Sequence, residues 1–207
     1  MATTITTTGQ MSDIAQSVGQ KYGFDRVSAE FTAYADFKVR WTRSYKWADF
    51  TVSDYLKGAD AEVIKNLFEV LFARITGTTD APEYSDKFRA HVLSRDFVDA
   101  HKEIYLGRKR ANKTSFRKIN GTTVHWAKKE NASSAGYAST LMNTIVLNPI
   151  LKDAPEEVVD VVIAHEYNII QDGLSNFGAV GEPVHCDEKI ADDWLVGHNL
   201  SPIGDYY

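Results

Sequence analysis

TIVLNPILKDAPEEVVDVVIAHEYNII, residues 144–170, carries two kinds of pattern in one run. Thr144 to Leu147 is a β-rich apolar stretch, and Asn148-Pro149 stops it because proline has no N–H to give a ladder. Asp153 then stands as a candidate helix cap. Pro155 suits a first helical turn, and Glu156 and Glu157 suit the positive end of a helix dipole. The apolar residues beyond predict a helix over 155–171, ended by Asp172-Gly173. Along the whole chain the order reads helix, helix, strands, helix, helix.

His165 and Glu166 sit inside that helix. They are the first half of the pattern H-E-x-x-H, in which two imidazoles one turn apart hold a metal and the glutamate acts as base on its water. Residues 165 and 169 do share a helix face. Position 169, however, is Ile169, which has no donor, and Asn168 is off that face and a poor zinc ligand. Read blandly, His165 and Glu166 are a hydrogen-bonded polar pair in a cleft. Read as a metal site, His165 needs partners. His185 lies twenty residues on, next to Cys186, with Glu188 close behind. His125, beside Trp126 in a predicted strand, is another candidate replacement ligand.

Working outward, Met1 to Ser12 is polar and Thr-rich and reads as frayed, and 13–21 as a short helix. Phe37, Val39 and Trp41 alternate as in a half-buried strand, and Ser53-Asp54 precedes a short helical turn. Ile64, Leu67, Phe68, Leu71, Phe72 and Ile75 line one face of a helix that Asp60 caps and Gly77 stops. Phe88, Val92, Phe97 and Ile104 anchor a second helical region over 84–106. Residues 121–129 read as a strand, 131–139 as a loop, 174–186 as a loop, and 187–198 as a helix carrying Ile190, Trp194 and Leu195. The expected organisation is one domain over 13–207, with a mostly helical part at 13–106 and a core at 115–197.

Composition narrows the function classes. A formal net charge of -5 over 207 residues argues against a globally basic nucleic-acid binder. Six cations nevertheless fall within 108–118: Arg108, Lys109, Arg110, Lys113, Arg117 and Lys118. Their plain reading is a solvated loop, and their functional reading a nucleic-acid patch. Cys186 is the single cysteine, so no intrachain disulfide forms. The first residues lack the basic start and apolar core of a signal peptide, and no stretch reaches the ~18 apolar residues of a spanning helix. A soluble, cytoplasmic protein without a membrane partner is expected.

The run 144–170 resembles the core of SprT-like and related small zinc metallopeptidases of the zincin-like group. Residues 121–133 look like the strand and turn that precede that core, with Trp126 matching a tryptophan there; the glycine, serine and cysteine that follow it in the family are missing. GEPVHCDEKIADDWL, residues 181–195, resembles the segment that brings the third ligand. The resemblance implies an α+β fold class, a small, partly antiparallel sheet packed against helices, with the active helix below a substrate-binding edge strand. It implies His165 as first ligand, Glu166 as general base and His185 as third ligand. Ile169 stands where the second ligand belongs. The expectation is a degenerate metallopeptidase without ordinary turnover, holding weakly bound zinc or none. The alternatives are a peptide- or protein-binding module in the retained cleft, an active metallohydrolase with a replacement ligand (Cys186, Glu188 or His125), and a DNA-associated protein.

Overall fold

The computed structural model describes residues 4, 7–131, 133–178 and 182–203. The architecture is mixed α+β, with two small sheets packed against helices. The chain divides into two compact units, Met1–Phe97 and Val98–Tyr207. That boundary lies ahead of the expected division at 106–115.

The first unit holds helices α1 (Thr8–Lys21), α2 (Ala61–Thr76) and α3 (Asp86–Val92) and strands β1 (Arg26–Thr32), β2 (Val39–Arg43) and β3 (Trp47–Ser53). Its three strands lie among its helices. The alternation in β1 and β3 buries Val27, Ala29, Ala48, Phe50 and Val52 on one side of the sheet. The strand order is β1-β3-β2, with β1 parallel and β2 antiparallel to β3. Phe50 meets Phe68 and Phe72 of α2 edge-on, with ring centres 5.3 and 5.2 Å away. Burying a phenylalanine of this kind stabilises by about 1.5–3 kcal/mol.

Helix α1 begins earlier than the Thr-rich composition suggests. Thr7 and Gln10 form a capping box: the Thr7 hydroxyl accepts from the Gln10 N–H at 3.2 Å, and the Gln10 side chain accepts from the Thr7 N–H at 3.1 Å. Ser12 and Gln16 then accept from the N–H groups of Ala29 and Val27, so α1 satisfies the outer edge of β1. Residues 1–3 and 5–6 of the expected frayed segment lie outside the described residues.

The caps of α2 are those read from the sequence. Asp60 accepts from the Glu62 N–H, and Gly77 ends the helix at φ 69°, a left-handed conformation that costs glycine nothing. The region 84–106 is two helices, broken at Leu93-Ser94, where the Ser94 hydroxyl accepts from the Phe97 N–H as α4 (Arg95–Arg108) begins. Phe88, Val92 and Phe97 are buried, whereas Ile104 is exposed and anchors nothing. Strand β2 is also barer than its alternation suggests. It is the outermost strand, and Trp41 is 47% exposed.

The second unit has strands β4 (Arg117–Ile119), β5 (Thr122–Trp126), β6 (Gly136–Ser139) and β7 (Thr144–Leu147), then α5 (Glu156–Ser175) and α6 (Lys189–Gly197). Asn120 and Gly121 both take positive φ in the tight turn joining β4 to β5. The order is β4-β5-β7-β6: β5 and β7 are parallel, and β6 runs antiparallel along the outer side of β7. The expected loop at 131–139 therefore contains a strand. Val124, Ile145 and Leu147 pack on Val158, Val162 and Ile170 of α5.

Two expectations about α5 need correction. Asp153 does not cap it: Asp153 closes a short 3-10 turn, and the helix starts after Pro155 with no side-chain cap. The buried Asn148 caps that 3-10 turn instead, accepting from the Ile150 N–H and donating to the carbonyls of Asn131 and Ser134. Nor does Asp172-Gly173 stop the helix, which runs on to Ser175. Gly173 serves close approach, since a Cβ there would lie 2.1 Å from Oγ1 of Thr140.

Candidate functional site

Helix α5 places His165 and Glu166 on two adjacent faces, both buried. His165 Nδ1–H donates to Oε1 of Glu188 at 2.7 Å. Glu188 immediately precedes α6, so the contact ties the middle of α5 to the start of α6. Of the three residues offered as replacement ligands, Glu188 is the one brought onto His165.

The approach of Glu188 depends on Asn168. Its amide donates to the Val184 carbonyl at 2.9 Å, and its carbonyl oxygen accepts from the Val184 N–H at 2.8 Å. This two-way bond lays the segment 182–188 along α5. The sequence reading weighed Asn168 only as a metal ligand. The available signal was an asparagine among apolar residues of a helix, a residue type that can satisfy a neighbouring backbone in both directions.

Glu166 is 5% exposed and faces β6. A Cβ on Gly136 would stand 3.1 Å from its Oε1, so the glycine admits the carboxyl against the strand. Its Oε2 is buried without a hydrogen-bond partner among the described residues. Burial pushes its pKa up to about 7, and the Lys109 ammonium opposes that rise.

His185 goes elsewhere. It is exposed and lines a groove of about 650 Å³ with Arg117, Lys118, Glu156, Asp160 and Val184. Cys186 tucks its thiol under α5, donating to the Val161 carbonyl at 3.4 Å. Burial, helped by the charges of Glu188, Asp187 and Asp192, pushes that thiol up to about 11 and keeps it protonated at neutral pH. His125 is buried and donates from Nδ1 to the Asn112 carbonyl at 2.9 Å. In the register Val124 faces Ile145 and His125 faces Val146. Val124 and Ile145 belong to the α5 core, so alternation turns His125 to the opposite side of the sheet, away from His165. Desolvation holds its pKa below the usual histidine value.

Two metal-capable donors therefore meet at the site. A catalytic zinc takes three protein ligands and a water. His165 and Glu188 supply two, Ile169 supplies none, and among the described residues no group of three His, Cys, Asp or Glu gathers to hold an ion.

The run 108–118 is partly neutralised where it stands. Arg117 pairs with Asp160 and, at 3.1 Å, with Glu156. Lys113 pairs with Glu103 at 2.9 Å, and Lys109 lies 4.7 Å from the ring centre of Tyr137. Among the described residues no helix is long and apolar enough to cross a membrane. No family model matches this chain, and no curated protein or solved structure matches it either.

Proposed function

We propose that the second unit is a zinc-metallopeptidase-like module that has lost peptidase turnover and keeps a peptide-binding edge. The observation that carries this reading is the pairing of His165 with Glu188 across a helix face whose next turn presents Ile169. An imidazole at 169 would turn these residues into the His₂Glu donor set that catalytic zinc uses. With isoleucine there, the carboxylate takes the imidazole directly, and Glu166 has no activated water to deprotonate. Two features support the wider resemblance: an outer strand, β6, antiparallel to its neighbour, and a glutamate lying against that strand from the helix.

An extended peptide gains main-chain hydrogen bonds by adding to an unpaired sheet edge. Strand β6 is the outermost strand of its sheet, which makes its free side the place for such a ligand. A DNA-associated role for 108–118 is disfavoured by the acids that Arg117 and Lys113 already engage.

The test is hydrolysis of a quenched-fluorescent peptide library, with and without added zinc, beside capture of the same peptides on the immobilised chain. The expected result is capture without hydrolysis. Zinc-dependent cleavage that disappears in Glu166→Gln would replace this reading with that of an active metallohydrolase.

A further inference from the structure

The first unit carries a second surface, independent of the reading above. In a chain of net charge -5, residues 37–48 hold four cations, Lys38, Arg40, Arg43 and Lys46, and no acid. The same twelve residues hold Phe37, Trp41, Tyr45 and Trp47. They fold into the β2–β3 hairpin at the bare end of the sheet, where Trp41 is 47% and Tyr45 85% exposed. Large aromatic rings are rarely left so open on a surface without a partner.

The charges and rings are interleaved. Lys38 Nζ and Arg40 Cζ lie 4.7 and 5.6 Å from the ring centre of Tyr34, and Arg26 Cζ lies 5.6 Å from that of Trp47. Arg43 makes no ion pair among the described residues. The side of the sheet away from the helices is polar, and Arg40, Thr42, Asp49 and Tyr34 line a groove of about 600 Å³ there. Its acids are Glu30 and Asp49, and Asp49 is already engaged by the Ser28 hydroxyl. Asp25 lies 3.8 Å from Lys46 in the turn of the hairpin. Alternation puts Arg40 and Thr42 on the polar side and Trp41 and Arg43 on the side of Phe50, so the free edge of β2 carries a cation on each side and the open ring of Trp41 on one.

We infer that this hairpin binds single-stranded nucleic acid along the free edge of β2, with Lys38, Arg40 and Arg43 on phosphates and Trp41 and Tyr45 stacked on bases. Phosphate attraction alone would need no rings. Stacking needs an exposed base face, which a single strand offers and a duplex does not.

The test is fluorescence anisotropy of the full chain with a labelled oligothymidylate of about 16 nucleotides, within the reach of known single-strand sites. The same-length duplex and phosphatidylserine vesicles are run beside it over a salt series. Single-strand binding should exceed duplex binding. Tyr45→Ala should weaken it by about 5- to 150-fold, the worth of one stacked base, and Tyr45→Phe should retain it. Arg43→Glu should reduce the slope of log affinity against log salt by about 0.7 or more, one phosphate's share. Lys118→Glu, in the other unit, should change nothing. Circular dichroism checks that each variant is folded. Absence of single-strand binding at low salt, tighter duplex binding, binding to vesicles alone, or sensitivity to Lys118→Glu rather than to Tyr45→Ala would each overturn the inference.

Discussion

Nδ1 of His165 stands 2.7 Å from Oε1 of Glu188, joining the middle of α5 to the start of α6. The imidazole is buried and the carboxylate half-buried. Removing either partner leaves the other with a polar group that water cannot fully reach, which costs more than the bond itself contributes. Single substitutions His165→Ala and Glu188→Ala should therefore each destabilise by about 1–3 kcal/mol, and the double variant by less than their sum. Urea unfolding of the four chains measures the coupling. Strict additivity would mean that the contact contributes nothing in solution.

Glu166 predicts a particular pH dependence. Its folded pKa of about 7 lies above the ordinary carboxyl value of 4.5. Between those values the folded chain holds a proton that the unfolded chain has released. Stability from this group is therefore complete below pH 4.5 and falls as pH rises towards 7, by at most about 3 kcal/mol. Glu166→Gln keeps the shape and cannot ionise. It should match the parent near pH 4.5 and exceed it in stability at pH 8. Urea midpoints at the two pH values test this, and an unchanged gap between the chains would contradict it.

Asn168 holds the 182–188 segment through both ends of its amide. Asn168→Ala loses two hydrogen bonds and leaves Val184 backbone groups without them, at a cost of about 1–3 kcal/mol. Limited proteolysis should then cut between Pro183 and Glu188, where the parent resists. Equal resistance in the two chains would show that other contacts hold the segment.

Gly173 predicts overpacking. A methyl group there would overlap Thr140, whose Oγ1 is 2.1 Å from the Cβ position. Gly173→Ala should destabilise by about 1–3 kcal/mol despite alanine's better helix propensity. A thermal melt reads the sign directly, and a stabilised variant would contradict the close approach.

Parts of this molecule are legible from local pattern. The caps of α2, the run Thr144–Leu147 and the strand at β5 follow from residues that act on their immediate neighbours. Gly173 misleads because its reason lies across space, in Thr140, and not in the helix it sits in. Strand β6 hides in a small, polar stretch, since Gly136 is there to admit Glu166 and has no side chain to signal a strand. The pairing of β1 with β3 is non-local, so only packing on Phe68 and Phe72 makes their alternation meaningful. At the site, His165 and Glu166 stood out by motif. The partner of His165 did not: His185 and Glu188 differ by three positions in an irregular segment, and the two Asn168 bonds decide which one arrives.

The central claim is that one side chain, Ile169, separates this site from a metal centre. Zinc content after equilibrium dialysis, read by plasma mass spectrometry, tests it on the parent, Ile169→His and Ile169→His with Glu188→Ala. The account predicts far less than one zinc per parent chain, about one per Ile169→His chain, and loss again when Glu188 is removed. Stoichiometric zinc in the parent, or none in Ile169→His, would contradict it.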